Sequence, residues 1–116
     1  MKLSAERTRV WREWARFMEQ YPLVLAPVSQ CLPFQQGADE VSEESSRELI
    51  MNQSMLYLVN LLGLPAASVP TGLVGDNIPV GVQLIGRRFR EDQCLDAAEC
   101  IEQVTGVLSH SLWERI

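Results

Sequence analysis

At 116 residues with 47% apolar and 22% charged side chains, the chain has the make-up of an ordinary soluble globular domain, expected to span residues 1–116 as one unit. A formal charge of −5 argues against a nucleic-acid or anionic-membrane surface, because such partners need clustered Lys and Arg. Three cysteines without a C-x-x-C pair exclude a disulfide framework or zinc knuckle and fit reduced thiols in a cytoplasmic protein, while residues 1–14 are too charged for a signal peptide.

Taken in order, Ser4 is placed to cap a first helix, with Glu6 in its first turn. Val10, Trp11, Trp14, Phe17, Met18 and Tyr21 recur at three- and four-residue steps, opposite Arg9, Arg12, Glu13, Arg16 and Glu19. This is an amphipathic helix with an aromatic side, suited to core or subunit interface. Pro22 ends it, since the residue before a proline is pushed out of the α region. Leu23 to Ala26 then read as a short buried strand stopped by Pro27, and residues 28–40 as an irregular loop.

Ser42, followed by Glu43 and Glu44, marks a helix start, and the pattern predicts one helix from Ser42 to Leu62 that begins at the surface and ends inside. Gly63 is placed to close it in a left-handed conformation, with Pro65 beyond. Next come a strand over Ala66 to Val69, a corner at Pro70-Thr71-Gly72, a turn at Gly75-Asp76-Asn77, and a strand over Val80 to Gly86. Gln83 interrupts the apolar alternation of that second strand. A buried amide without partners costs about 1–3 kcal/mol, so Gln83 is read first as a clamp on a neighbouring loop.

Arg87, Arg88 and Arg90 follow as a solvated rim or an ion-pair set. Glu91 and Asp92 open the last helix, whose expected buried stripe is Leu95, Ala98, Ile101 and Val104 or Thr105, and Gly106 ends it. The alternation in residues 107–116 suggests an added edge strand.

Catalytic patterns are scarce. His110 is the only histidine, which removes multi-His metal sites and leaves at most a pairing such as Cys31 with His110, which no motif places together. Glu43 with Glu44 and Glu91 with Asp92 lie at helix starts, where the helix dipole accounts for them. No G-x-S-x-G, P-loop or G-x-G-x-x-G occurs, so neither cofactor nor metal is expected.

The runs NLLGLPAASVPTG (60–72), IPVGVQLIG (78–86) and FREDQCLDAAECIEQ (89–103) closely resemble the C-terminal segment of the amidase signature family. Trp14 to Phe17 and YPLVLAP (21–27) resemble what precedes it there, so the likeness covers nearly the whole chain in order. The resemblance implies an α/β fold: a mixed sheet of about three or four strands with helices packed on it, as in the C-terminal part of the amidase fold. It also implies amide hydrolysis by a Lys, Ser, Ser triad through an acyl-enzyme. The Gly/Ser-rich stretch that carries the family's nucleophile is not in this sequence, and the single lysine is Lys2, so no catalytic residue is carried over. The likeness leaves the loop of residues 27–40 and the Thr71-Gly72 corner as parts of a pocket wall. Thr71, Gly72 and Gln83 are therefore the candidates for substrate contact.

The expected function is the C-terminal portion of an amide hydrolase, silent alone and completed by an N-terminal catalytic part. The alternative is a stand-alone, non-catalytic α/β binding module. Either way, exposed strand edges favour a homo-oligomer.

Overall fold

The computed structural model describes residues 2–75 and 77–113. Helix α1 spans Lys2–Gln20, one residue short of the Tyr21-Pro22 step. It starts earlier than expected, so Ser4 lies inside it and its carbonyl accepts a hydrogen bond from Thr8 Oγ1 at 2.9 Å instead of Ser4 acting as a cap. Arg9 bridges Glu6 and Glu13 on the exposed side, each at 2.5 Å. On the other side Met18 is buried, while Phe17 and Tyr21 are about half exposed. Trp14, Phe17 and Tyr21 form a ladder of rings with centroids 5.6 and 5.1 Å apart.

Strand β1, Leu23–Pro27, follows at once. The single helix expected over residues 42–62 is two helices, α2 over Glu43–Asn52 and α3 over Ser54–Leu62. Ser42 caps α2 as expected, its side chain accepting from Ser45 N. The break at Gln53 has a tertiary cause. The Asn52 carbonyl accepts Gln30 N at 2.9 Å, and Gln30 Nε2 donates to Ser54 Oγ at 2.9 Å, so the loop after β1 takes the bonding capacity that a continuous helix would use. Gly63 closes α3 at φ 64°, where a side chain would be strained. Arg7 Nε reaches back from α1 to the Leu61 carbonyl at 2.6 Å, tying α1 to that helix end.

Strand β2, Ala66–Val74, and strand β3, Ile78–Gly86, are longer than predicted. The corner expected at Pro70-Thr71-Gly72 is a bulge inside β2, where Pro70 pairs with Gly81 and Gly72 with Val80. Pro70 is tolerated because β2 is an edge strand with no further ladder to supply. A Cβ on Gly81 would sit 2.6 Å from the Val69 carbonyl oxygen, so the bulge requires glycine opposite it. In the turn that follows, Asn77 N bonds Gly75 O at 2.9 Å, and Asp76 lies outside the described residues.

The sheet order is β1-β3-β2, and both pairings are antiparallel. The α/β architecture and three strands agree with expectation. Register puts Val24, Ala26, Gln83, Ile85, Ala66 and Ser68 on one face. There Ala26 and Ile85 pack with Val59 of α3, joined by Val24, Met55 and Leu64. The opposite face carries Leu84 and Val69, each 2% exposed, beneath helix α4, Glu91–Thr105. Leu25 of β1 shares that face by register and is 62% exposed.

The buried side of α4 differs from the stripe expected. Cys94 is its one fully buried residue, with Ala97, Ala98 and Ile101 half-buried, whereas Leu95 and Val104 are exposed on either flank. The helix is rotated because Gly86 and Pro65 leave a hollow that accepts Cys94. The edge strand expected over residues 107–116 is instead a short helix, α5, over Leu108–Trp113, with residues 114–116 outside the described set. Alternation over so few residues, without a β-branched run, fits one helical turn as well as a strand.

The whole is a thin slab with extents of 53 × 41 × 17 Å. Its radius of gyration is 16.8 Å, against about 13 Å for a compact domain of this length. Its accessible surface is 8763 Å², against roughly 6,400 Å² for a folded monomer of this mass. The molecule thus exposes about 2,400 Å² that a self-sufficient domain would bury.

Candidate functional site

A concave feature of about 870 Å³ opens where the loop leaving β1 faces the far ends of β2 and β3. Its floor is Ser68, Pro70 and Gly81, on the sheet face that also carries Ala26 and Ile85. Its wall is the loop from Pro27 to Phe34, with Gln53 at the break between α2 and α3. The same hydrogen bonds that interrupt the helix therefore hold this wall: Gln30 N to Asn52 O, and Gln30 Nε2 to Ser54 Oγ.

Chemically the cleft is an apolar trough with a few polar atoms, contributed by Ser29, Gln30, Cys31, Gln53 and Ser68 among Leu32, Phe34 and prolines. Such a lining holds an apolar group and orients it through a small number of hydrogen bonds. Cys31 is exposed, and its Sγ lies 3.6 Å from Ser29 Oγ. That serine, and not His110 on α5, is its neighbour. Lys2 is exposed at the start of α1 and is not one of the residues that line the cleft.

Thr71, Gly72 and Gln83 sit beside this cleft without lining it. Thr71 is half-buried on the β2 bulge, with its Oγ1 directed to the Val80 carbonyl at 3.4 Å. Gly72 completes the bulge at φ 153°. Gln83 is 4% exposed in the central strand, opposite Ala26 and Ser68. Its Nε2 has no hydrogen-bond partner among the described residues, so the clamp expected of it is not made by that nitrogen. Sequence reasoning missed Ser68 and Gln53. The period-two register linking Ser68 to Gln83 could have indicated the first, but nothing local marks the second.

The arginine rim is divided. Arg90 binds Asp92 at 2.8 Å, which draws the Asp92 carboxyl below its ordinary range. The Arg88 guanidinium lies 5.9 Å from the Trp11 ring centroid and 5.1 Å from that of Phe89, a residue held at φ 63°. Burial, with Glu91 and Asp92 nearby, pushes the Cys94 thiol up. Among the described residues no three His, Cys, Asp or Glu side chains converge as a metal site, and no helix is long and apolar enough to cross a membrane.

The family model described as Amidase matches residues 1–95. Indoleacetamide hydrolase of Bradyrhizobium japonicum is 44% identical over 115 residues, 98% of this chain and 24% of that protein. A subunit of the glutamyl-tRNA(Gln) amidotransferase of Lactiplantibacillus plantarum is 38% identical over 106 residues, 91% of this chain and 21% of that one. Among solved structures, the corresponding glutamyl-tRNA(Gln) amidotransferase subunit from Thermotoga maritima superposes with a TM-score of 0.74 at 34% identity, covering 86% of this chain and 21% of that chain. Allophanate hydrolase of Kluyveromyces lactis gives 0.69 at 26% identity, covering 90% and 16%. The chain therefore spans about a quarter or less of the length of these relatives.

Proposed function

Because this chain belongs to the amidase family, we propose that it is the C-terminal portion of an amide hydrolase, contributing scaffold and one wall of the substrate pocket. The surface it leaves open carries this reading. About 2,400 Å² beyond the need of a compact monomer is uncovered, and the cleft opens with it. A Lys, Ser, Ser mechanism needs a lysine held next to a serine. The sole lysine of this chain, Lys2, is exposed on α1, so the nucleophile and its base belong to an N-terminal part and the chain is silent alone. Its cysteines are all free thiols, in keeping with a cytoplasmic setting.

The kinship with an enzyme named indoleacetamide hydrolase suggests a primary amide on an aromatic acid as the substrate. In this reading Leu32 and Phe34 hold the apolar portion of the substrate, and the amide points away from the sheet toward the supplied triad. The test has two arms. Purified chain is incubated with indole-3-acetamide and simple aryl amides, and no turnover is expected; hydrolysis that survives Lys2→Ala sinks the reading. The chain is then fused behind the catalytic part of an indoleacetamide hydrolase in place of its own C-terminal portion. Turnover is expected to return, with KM raised by Phe34→Ala. A folded but inactive fusion would favour a non-catalytic binding module.

A further inference from the structure

We propose that the hollow between α1 and the exit of β3 is a binding site for a free α-amino acid with a small apolar side chain. This goes beyond the reading above, since the hollow shares no lining residue with the cleft. It is also no open edge of the sheet, being closed on its sides by elements of this chain.

The hollow has a volume of about 210 Å³. That is below the roughly 300–1,000 Å³ of sites for drug-sized molecules, so its occupant is small. Its base is apolar: Trp11, Ala15 and Met18 lie at helical spacing on one side of α1, and Leu64 follows the turn that ends α3. Met18 is buried and the other three are half-buried. Around this base stand three exposed charged side chains, Glu19 from α1 and Arg87 and Arg88 from the exit of β3. Among the described residues none of the three is in an ion pair, whereas Arg9, Arg47 and Arg90 each are.

Arg88 is already positioned. Its guanidinium is held against the Trp11 and Phe89 rings, and Phe89 keeps its place at φ 63°, a conformation that a bulky side chain adopts only under strain. A planar fork fixed in this way loses little freedom when it binds a carboxylate. The charges then select the ligand. A plain carboxylate would gain Arg87 and Arg88 but meet Glu19, and a plain ammonium would gain Glu19 but meet two guanidiniums. A zwitterion pairs with both signs, its carboxylate on Arg87 and Arg88 and its ammonium on Glu19. The side chain of the same α-carbon then displaces water from the apolar base formed by Trp11, Ala15, Met18 and Leu64.

The test is calorimetric titration of L-leucine into the full chain, with thermal melts alongside. A dissociation constant at or below about 1 mM is expected, together with a raised melting midpoint. Isocaproate, which lacks the ammonium, and L-leucinamide, which lacks the carboxylate, should each bind about tenfold or more weakly. Arg88→Gln and Glu19→Gln should each weaken L-leucine by about that factor with far-UV circular dichroism unchanged. Arg47→Gln, which removes a positive charge on α2, should leave binding as it was. The ligand series is read on the unaltered chain, so it stands even where a variant folds poorly. The fusion described above should bind L-leucine as the chain does, and loss of binding there would make the hollow a seat for the N-terminal part and overturn the proposal. No binding of L-leucine at about ten times the expected constant, binding indifferent to Arg88→Gln, or isocaproate bound as tightly as L-leucine overturns it as well.

Discussion

Gly86 in β3 and Cys94 in α4 are packed so closely that a Cβ on the glycine would lie 2.6 Å from the thiol sulfur and 3.2 Å from the Arg90 carbonyl oxygen. This contact sets the rotation of α4 on the sheet. It explains why Cys94 is buried while Leu95 and Val104 are not.

Gly86→Ala should therefore destabilise the chain by about 1–3 kcal/mol, the usual cost of forcing volume into a packed site. Combining it with Cys94→Ala should return part of that loss, because the sulfur is the nearest obstacle. Urea denaturation of the two single variants and the double variant measures the coupling. Additive effects would mean that the sulfur and the new methyl do not meet.

The Cys94 thiol is raised above its ordinary value by burial first, then by Glu91 and Asp92. The unfolded chain therefore loses this proton at lower pH than the folded chain, so stability is fully present below the unfolded thiol's value and declines as pH rises past it. Denaturation midpoints should fall, more steeply than in Cys94→Ala, as pH rises past the ordinary thiol value of about 8.5. At neutral pH iodoacetamide should label exposed Cys31 and Cys100, with Cys94 labelled only after unfolding, as read by intact mass. Equal labelling of all three would contradict the packing.

Gln83 presents a buried Nε2 without a partner among the described residues, a cost that an apolar side chain of similar length avoids. Gln83→Leu should leave the isolated chain as stable as before or about 1 kcal/mol more stable. A loss of stability in thermal or urea melts would mean that the amide is bonded after all.

Ser42→Ala removes the side-chain oxygen that accepts from Ser45 N at the start of α2. A loss of about 1 kcal/mol is expected. Far-UV dichroism should show reduced helix before the main unfolding transition, since α2 has no buried residue to hold it in place.

Elements whose causes are local were legible in the amino-acid order. Pro22 closes α1, Ser42 opens α2, and Gly63 ends α3 because only glycine adopts its left-handed backbone without strain. The apolar runs around Val69 and Leu84 located two strands, and motif order alone pointed to the amidase family. Long-range contacts decided the rest. The helical pattern through Gln53 looked continuous until Gln30, 23 residues upstream of it, claimed the Asn52 carbonyl and the Ser54 hydroxyl. Pro70-Thr71-Gly72 looked like a corner until Gly81 paired across it as a bulge, and the face of α4 was chosen by the hollow at Gly86. The cleft itself is made of segments distant in sequence: the loop after β1, Gln53, Ser68 and Gly81. Local propensity acts over one turn or one strand, whereas each of these outcomes depends on a hydrogen bond or a steric contact between residues that only the folded chain brings together.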